Sequence, residues 1–475
     1  MALGLFLNLN KLFMKSFLRI RTIESILSGA KKNSLTKSMG AMDLVLFGIG
    51  CTIGTGIFVL TGIAAAEHAG PAIALSYLLA ALVCIFTGLA YTELAAALPV
   101  SGSCYTYSYA IFGEFTAWMI ACALMLEYMI GAATVSAGWS GYFVGILKSG
   151  GINIPEMLTK SPADGGVINL PAMGIALFIG ILLMRGTKTS MMLNRILVAV
   201  KLIIIFLFLF IAAPHIQMEN YANFMPFGWQ GVAVGSAAIF YAYVGFDSVS
   251  TAAEEAKNPN RDLPIGIIGS LVICATLYIL VALALTGIVP YTSLNNAAPM
   301  SNALTQNGSN LGSALIGVGA IAGMVAVLLV LMYAQSRILF VMSRDGLLPA
   351  YFSKLHKKYD TPFISCAIVT VVVALITGFI PLKTLSYMTS FGTLLTFIAA
   401  AIGVMILRVR RPKLDRPFKC PALFVVAPIA VITCGYLTYK LLLVVVEPVI
   451  IWAGLSAFVY FAYSYRKSPL AKKGK

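Results

Sequence analysis

The sequence predicts an all-α integral membrane protein of twelve transmembrane helices, and three observations carry that reading. Hydrophobic residues make up 60% of the 475 and charged residues only 11%, where soluble domains run at about 45–50% and about 25%. The apolar residues fall in long runs, and mean hydropathy is +0.92. Lys and Arg outnumber Asp and Glu by 33 to 17, a net charge of +16, yet they sit in short stretches between the runs, where they set membrane topology. This balance disfavours a soluble multidomain enzyme, a disordered chain and a disulfide scaffold. Without an aromatic and basic groove, it also argues against a nucleic-acid partner.

A transmembrane helix needs about 20 apolar residues. Twelve stretches qualify: 42–66, 72–98, 112–147, 170–186, 191–213, 231–256, 263–289, 311–343, 362–379, 383–407, 422–444 and 446–465. The last two are joined tightly through Glu447-Pro448. Lys11, Lys15, Arg19, Arg21, Lys31, Lys32 and Lys37 precede the first span, and alternate loops continue that bias. Only Lys148, Lys160 and Lys383 fall on the opposite side. Both termini, 1–41 and 466–475, are therefore expected in the cytoplasm.

The apolar run Ala2 to Leu9 has no basic region before it and no small-residue cleavage site after it, so it does not read as a signal peptide. Phe13, Phe17, Ile20 and Ile23 recur at helical spacing among Lys15, Arg19 and Arg21, the pattern of an interfacial amphipathic helix with an anchoring role. The eight cysteines are scattered singly, with no CxxC pair and no His at ligand spacing, so no metal site is expected. Connecting segments are too short for a soluble catalytic domain. HExxH, GxSxG and GxxxxGK[ST] are all missing, so neither an enzyme nor a cofactor is expected.

Span 1 carries Gly48, Gly50, Gly54 and Gly56 near its middle. Each glycine costs a helix interior about 1 kcal/mol relative to alanine, so this clustering suits an unwound segment. Unwound backbone at membrane depth persists only where protein or a water-filled cavity satisfies it. Such a break presents the positive end of a second half-helix, which suits a carboxylate. The competing readings are close helix packing through Gly50 and Gly54 and a dinucleotide fingerprint, which fails for want of alternating strands and helices. Span 6 is interrupted in turn at Tyr241-Ala242-Tyr243-Val244-Gly245-Phe246-Asp247. Paired interrupted helices point to a midplane site between inverted repeats, here 42–213 and 231–407, with 422–465 peripheral. Glu127 in span 3 and Lys201 in span 5 are ionisable groups within apolar runs. They are expected to face the bundle interior, either to carry protons or as a static ion pair.

Gly48-Ile-Gly-Cys-Thr-Ile-Gly-Thr-Gly-Ile-Phe-Val-Leu-Thr-Gly62, Thr92-Glu-Leu with Pro99-Val-Ser-Gly-Ser-Cys-Tyr-Thr-Tyr-Ser108, and Gly245-Phe-Asp-Ser-Val-Ser-Thr-Ala-Ala-Glu-Glu-Ala-Lys-Asn-Pro259 are joined by two further motifs. These are Arg337-Ile-Leu-Phe-Val-Met-Ser-Arg-Asp-Gly-Leu-Leu-Pro349 and Arg416-Pro-Phe-Lys-Cys-Pro421. Together they resemble the amino acid-polyamine-organocation superfamily, in its cationic amino acid transporter branch with bacterial proton-coupled permeases. The resemblance covers nearly the whole chain.

It implies the LeuT-type fold, with five-plus-five inverted repeats, broken helices 1 and 6, and alternating access to one L-amino acid site. It further implies that the substrate carboxylate meets amides around Ile53, Gly54, Thr55 and Gly56. The ammonium would meet carbonyls near Cys51, Thr52, Tyr241, Ala242 and Val244. Lys201 matches a lysine that stands where sodium-coupled relatives hold the ion, which points to proton rather than sodium coupling; the matching role of Glu127 is proton-linked or structural. One departure concerns selectivity. Cationic members carry small residues where this chain has Leu331, and a bulky side chain there favours small or medium neutral amino acids. The expectation is thus a proton-coupled neutral amino acid symporter in the cell membrane. Arginine or lysine uptake, exchange, and an accessory subunit remain open.

Overall fold

The computed structural model describes residues 19–32, 37–296, 298–357, 359 and 361–473. Among them the fold is helical, and the isolated β contact is a bridge from Met39 to Ala256. Eight helical runs are long and apolar enough to cross a membrane, and three shorter apolar helices, Ala41–Thr52, Leu170–Met184 and Phe363–Phe379, accompany them.

In chain order the helices begin with α1 (Ile23–Lys32), α2 (Ala41–Thr52) and α3 (56–69), the last with wide turns at Gly56–Leu60 and Ala65–Ala69. Then come α4 (Ile73–Ala97), α5 (Ser103–Ile111), α6 (114–149), α7 (Leu170–Met184), α8 (Thr187–Ala212) and α9 (Gly228–Ile239). After the second break follow α10 (Pro259–Ile288), α11 (Pro299–Gln306), α12 (Asn310–Arg344), α13 (Phe363–Phe379), α14 (Leu382–Arg410) and α15 (Leu423–Val459). Most ends fall within a few residues of those read from hydropathy. The amphipathic helix is different. Phe13 and Phe17 lie outside the described residues, Ile20 is not helical, and the helix starts at Ile23. Its apolar contact with the bundle comes from Ile23 and Ile26, both buried.

Helix α8 shows how one sequence serves two solvents. Ile203, Phe206 and Phe210 are 65%, 57% and 79% exposed, whereas Val198, Lys201, Ile205 and Phe208 are fully buried. One face meets hydrocarbon and the other packs on α12. An outward apolar stripe of this kind is stable only in lipid.

Stretch α15 is broken at Val445 (φ −118°, ψ 26°). Its first part follows α4, with Cys434 Sγ beside Thr87 Oγ1 at 3.6 Å. Its second part follows α6 in reverse: Trp452 Nε1 donates to Cys122 O, Trp118 Nε1 to Ser456 O, and Tyr460 OH to Glu114 Oε1. The residues before and after it, Cys420 against Glu93 and Ser468 against Glu114, lie at the ends of α4 and α6 that neighbour one another through α5. The stretch therefore folds back on itself at Val445, close to the turn read at Glu447-Pro448.

Candidate functional site

The two breaks meet in the bundle interior. Helix α2 stops at Thr52, Ile53 turns extended (φ −79°, ψ 101°), and α3 begins from Gly56. Helix α9 stops at Ile239, runs through a tight turn at Phe240–Tyr243, and restarts as a tight helix at Phe246–Glu255. Gly245 joins the two at φ +115°, a conformation costly for any side-chain-bearing residue. A Cβ there would lie 2.5 Å from Cys51 Sγ, and one on Gly56 would lie 2.4 Å from Ala242 Cα. Glycine at both places lets the broken backbones touch. Tyr278 of α10 ties them further, its hydroxyl 2.7 Å from Thr52 O and 2.8 Å from Ala242 O.

Between the breaks is a space of about 10 Å³ lined by Cys51, Thr52, Gly54, Thr55, Gly56, Tyr241, Val244, Val327 and Leu331. Eight of these were expected from sequence. Ile53 and Ala242, also expected, do not line it. The Ile53 amide donates to Ile49 O at 3.1 Å and so is taken, whereas the first turn of α3 is where a helix leaves N–H groups without intrahelical partners. Thr52 O and Ala242 O already face the Tyr278 hydroxyl. Val327 was missed, although it lies one helical turn before Leu331. The apolar side chains lining the space are Val244, Val327 and Leu331. That is about the 10–15 Å³ one water molecule needs and far too little for an amino acid, so the site is closed in this conformation.

Lys201 is fully buried. Its Nζ donates to Gly50 O at 2.8 Å and Ile53 O at 2.9 Å. These carbonyls belong to the last turn of α2 and the residue after it, where the helix dipole is negative and intrahelical donors run out. The amine thus sits at the first break with backbone oxygens as its hydrogen-bond acceptors. Its partner is not Glu127, which disposes of the static ion pair between the two.

Glu127 lies in a wide turn of α6 (Leu126–Ile130) and faces Asp247 just after the second break. Both are fully buried. Tyr128 OH donates to Asp247 Oδ2 at 2.7 Å and Thr396 Oγ1 to Glu127 Oε2 at 3.3 Å. The second oxygen of each carboxyl, Glu127 Oε1 and Asp247 Oδ1, has no hydrogen-bond donor. Asp247 was read from sequence as part of the interruption, without this partnership.

Toward the chain termini, buried ion pairs cross the bundle. Arg337 donates to Glu255 Oε1 at 3.2 Å and lies over the Tyr333 ring at 4.7 Å, and Tyr333 OH bonds the same carboxylate. Arg344 grips Glu254 through both terminal guanidinium nitrogens, Nη1 and Nη2, at 3.2 and 3.1 Å. At the other end, Glu67 of α3 meets Lys383 of α14 at 3.4 Å, with both side chains partly exposed. Among the described residues no group of three or more His, Cys, Asp and Glu is placed to hold a metal ion.

The family described as amino acid permease matches residues 39–462. Similar proteins include the methylthioribose transporter of Bacillus subtilis (strain 168), 43% identical over 97% of this chain and 100% of its own length. The branched-chain amino acid permease BcaP of the same organism is 41% identical over 96% and 99%. The vacuolar cationic amino acid transporter 4 of Arabidopsis thaliana is 36% identical over 83% of this chain and 67% of its own.

Proposed function

Since this chain belongs to the amino acid permease family of the amino acid-polyamine-organocation superfamily, we propose that it is a proton-coupled symporter of medium-sized neutral L-amino acids. It is a multi-pass membrane transporter and not an enzyme. The observation that carries the finer reading is the pairing of a backbone-built head-group site with an apolar side-chain end. Carboxylate and ammonium would be held by the first turn of α3 and the carbonyls of the breaks. Val244, Val327 and Leu331 offer a basic side chain no acceptor, which favours leucine-like over arginine-like substrates. This accords with the branched-chain selectivity in the relative's name.

Proton coupling is supported by Lys201 at the cation position and by the Glu127–Asp247 pair. Spans 42–213 and 231–407 would be the inverted repeats of a LeuT-type fold of twelve passes, moving around the site. Both termini would lie in the cytoplasm of a cell whose plasma membrane holds the protein. Uptake into proteoliposomes of labelled leucine, arginine and methylthioribose under imposed proton or sodium gradients tests the whole reading. Leucine accumulation driven by protons alone supports it. Preferred arginine or methylthioribose, or a sodium requirement, overturns it.

A further inference from the structure

Two adjoining cavities of about 190 and 450 Å³ open beside the last turn of α14 and share Ile23, Arg410 and Arg411. Arg21, Arg410 and Arg411 line the first together with Ile20, Ile23, Ile111, Ile406 and Leu407, and among the described residues no carboxylate lines it. Arg21 is held in its wall by an ion pair with Asp345. Arg410 donates to Ile111 O at 3.3 Å. Arg411, 55% exposed, lies 3.9 Å from Glu24, which lines the second cavity along with Lys413 and Asp415.

Depth identifies the surroundings. Helix α14 has 29 residues, or about 43 Å at 1.5 Å per residue, close to the roughly 40–45 Å of a bilayer with its headgroups. Its last turn therefore stands at headgroup level, and Val409, 69% exposed, faces outward next to Arg410. Guanidinium forks match phosphate oxygens. Basic pockets at helix ends are where membrane proteins take up anionic headgroups. Apolar walls beside the arginines suit the glycerol and first acyl carbons rather than a free inorganic anion.

We propose that this cavity binds the phosphate of an anionic phospholipid, with Arg410 and Arg411 as its ligands and the isoleucines against its glycerol end. The lipid bridges the end of α14 to residues 20–23, which Arg21 in turn fastens to Asp345 beyond α12. The inference needs only that the chain sits in a membrane, so it stands or falls apart from the transport reading.

The test is thermal unfolding and native mass spectrometry of the full-length protein in detergent. Phosphatidylglycerol, phosphatidylcholine and glycerol 3-phosphate are titrated separately. Phosphatidylglycerol should raise the unfolding midpoint and stay bound, and the other two should not. The Arg410→Gln/Arg411→Gln double variant should weaken its apparent affinity by about thirtyfold, as expected for two basic groups near a membrane surface. Should that variant fold poorly, Arg410→Lys, which keeps the charge and loses the fork, should still weaken binding measurably. Equal stabilisation by phosphatidylcholine, or unchanged binding in the variants, refutes the site. The same shift with glycerol 3-phosphate means a soluble phosphate ligand and refutes the lipid.

Discussion

Replacing Lys201 by methionine keeps most of the side-chain volume and removes only the ammonium. The structure sets the cost. Two charge-assisted hydrogen bonds disappear, at 2.8 Å to Gly50 O and 2.9 Å to Ile53 O, each worth about 1.5–3 kcal/mol, and two buried carbonyls lose a donor. Even the lower sum, about 3 kcal/mol, is two decades in an equilibrium constant. Those carbonyls close α2 just before the turn that presents Gly54, Thr55 and Gly56 to the cavity. The penalty falls on the backbone that would hold a substrate carboxylate. Lys201→Met should therefore bind leucine at least about a hundredfold more weakly and fail to accumulate it under a proton gradient. Substrate-induced thermal stabilisation in detergent and proteoliposome uptake read the two effects, and a monodisperse elution profile guards against misfolding. Proton-driven accumulation by the methionine variant within a few-fold of native, or native uptake that requires sodium, would refute the reasoning.

Glu127→Gln and Asp247→Asn each replace a carboxyl of the facing pair by an amide that keeps shape but cannot titrate. Both should flatten the pH profile of uptake while leaving counterflow exchange measurable, and an unchanged profile in both makes the pair structural. Leu331→Ser opens the apolar end of the site and should improve arginine relative to leucine by about ten- to a hundredfold at most, corresponding to about 1–3 kcal/mol. A competition assay showing no change in that ratio removes Leu331 from selectivity. Tyr278→Phe removes the hydroxyl shared by Thr52 O and Ala242 O and should lower the unfolding free energy by about 1–2 kcal/mol; full native stability would show that the breaks hold together without it.

The spans and both interruptions could be read along the chain because their signals are local: apolar runs, clustered glycines, an acid beside Gly245. Lys201 and Glu127 stood out because each is a lone charge in hydrocarbon-length sequence. What could not be read is which residues face one another. Helices such as α4 and α12 are apolar all round, since lipid and protein interior make the same demand on side chains, and so they carry no amphipathic phase that fixes the inward face. Val327 was recoverable, because it shares the Leu331 stripe at i−4. The meeting of Glu127 with Asp247, of Tyr278 with both breaks, and of Arg337 with Glu255 joins residues distant in sequence, and nothing in their local pattern announces it.

These pairings also connect the closed cavity to the sealed end of the bundle. A space of about 10 Å³ admits no amino acid, so binding must displace either the break backbones or the side chains of α12. Both routes lead to the same contacts. Helix α12 carries Val327 and Leu331 at the site and, six residues beyond Leu331, the buried Arg337 that pairs with Glu255. Glu255 itself ends the tight helix that begins at the second break, and its carbonyl accepts from Ser38 and Met39 as the chain enters α2. Movement of Leu331 outward, or of Gly245 and Cys51 apart, would therefore act on elements that carry the two partners of one ion pair. If the cavity is the substrate site proposed above, a substrate that opens it would load the buried Arg337–Glu255 pair, whereas the Glu67–Lys383 pair lies on helices α3 and α14.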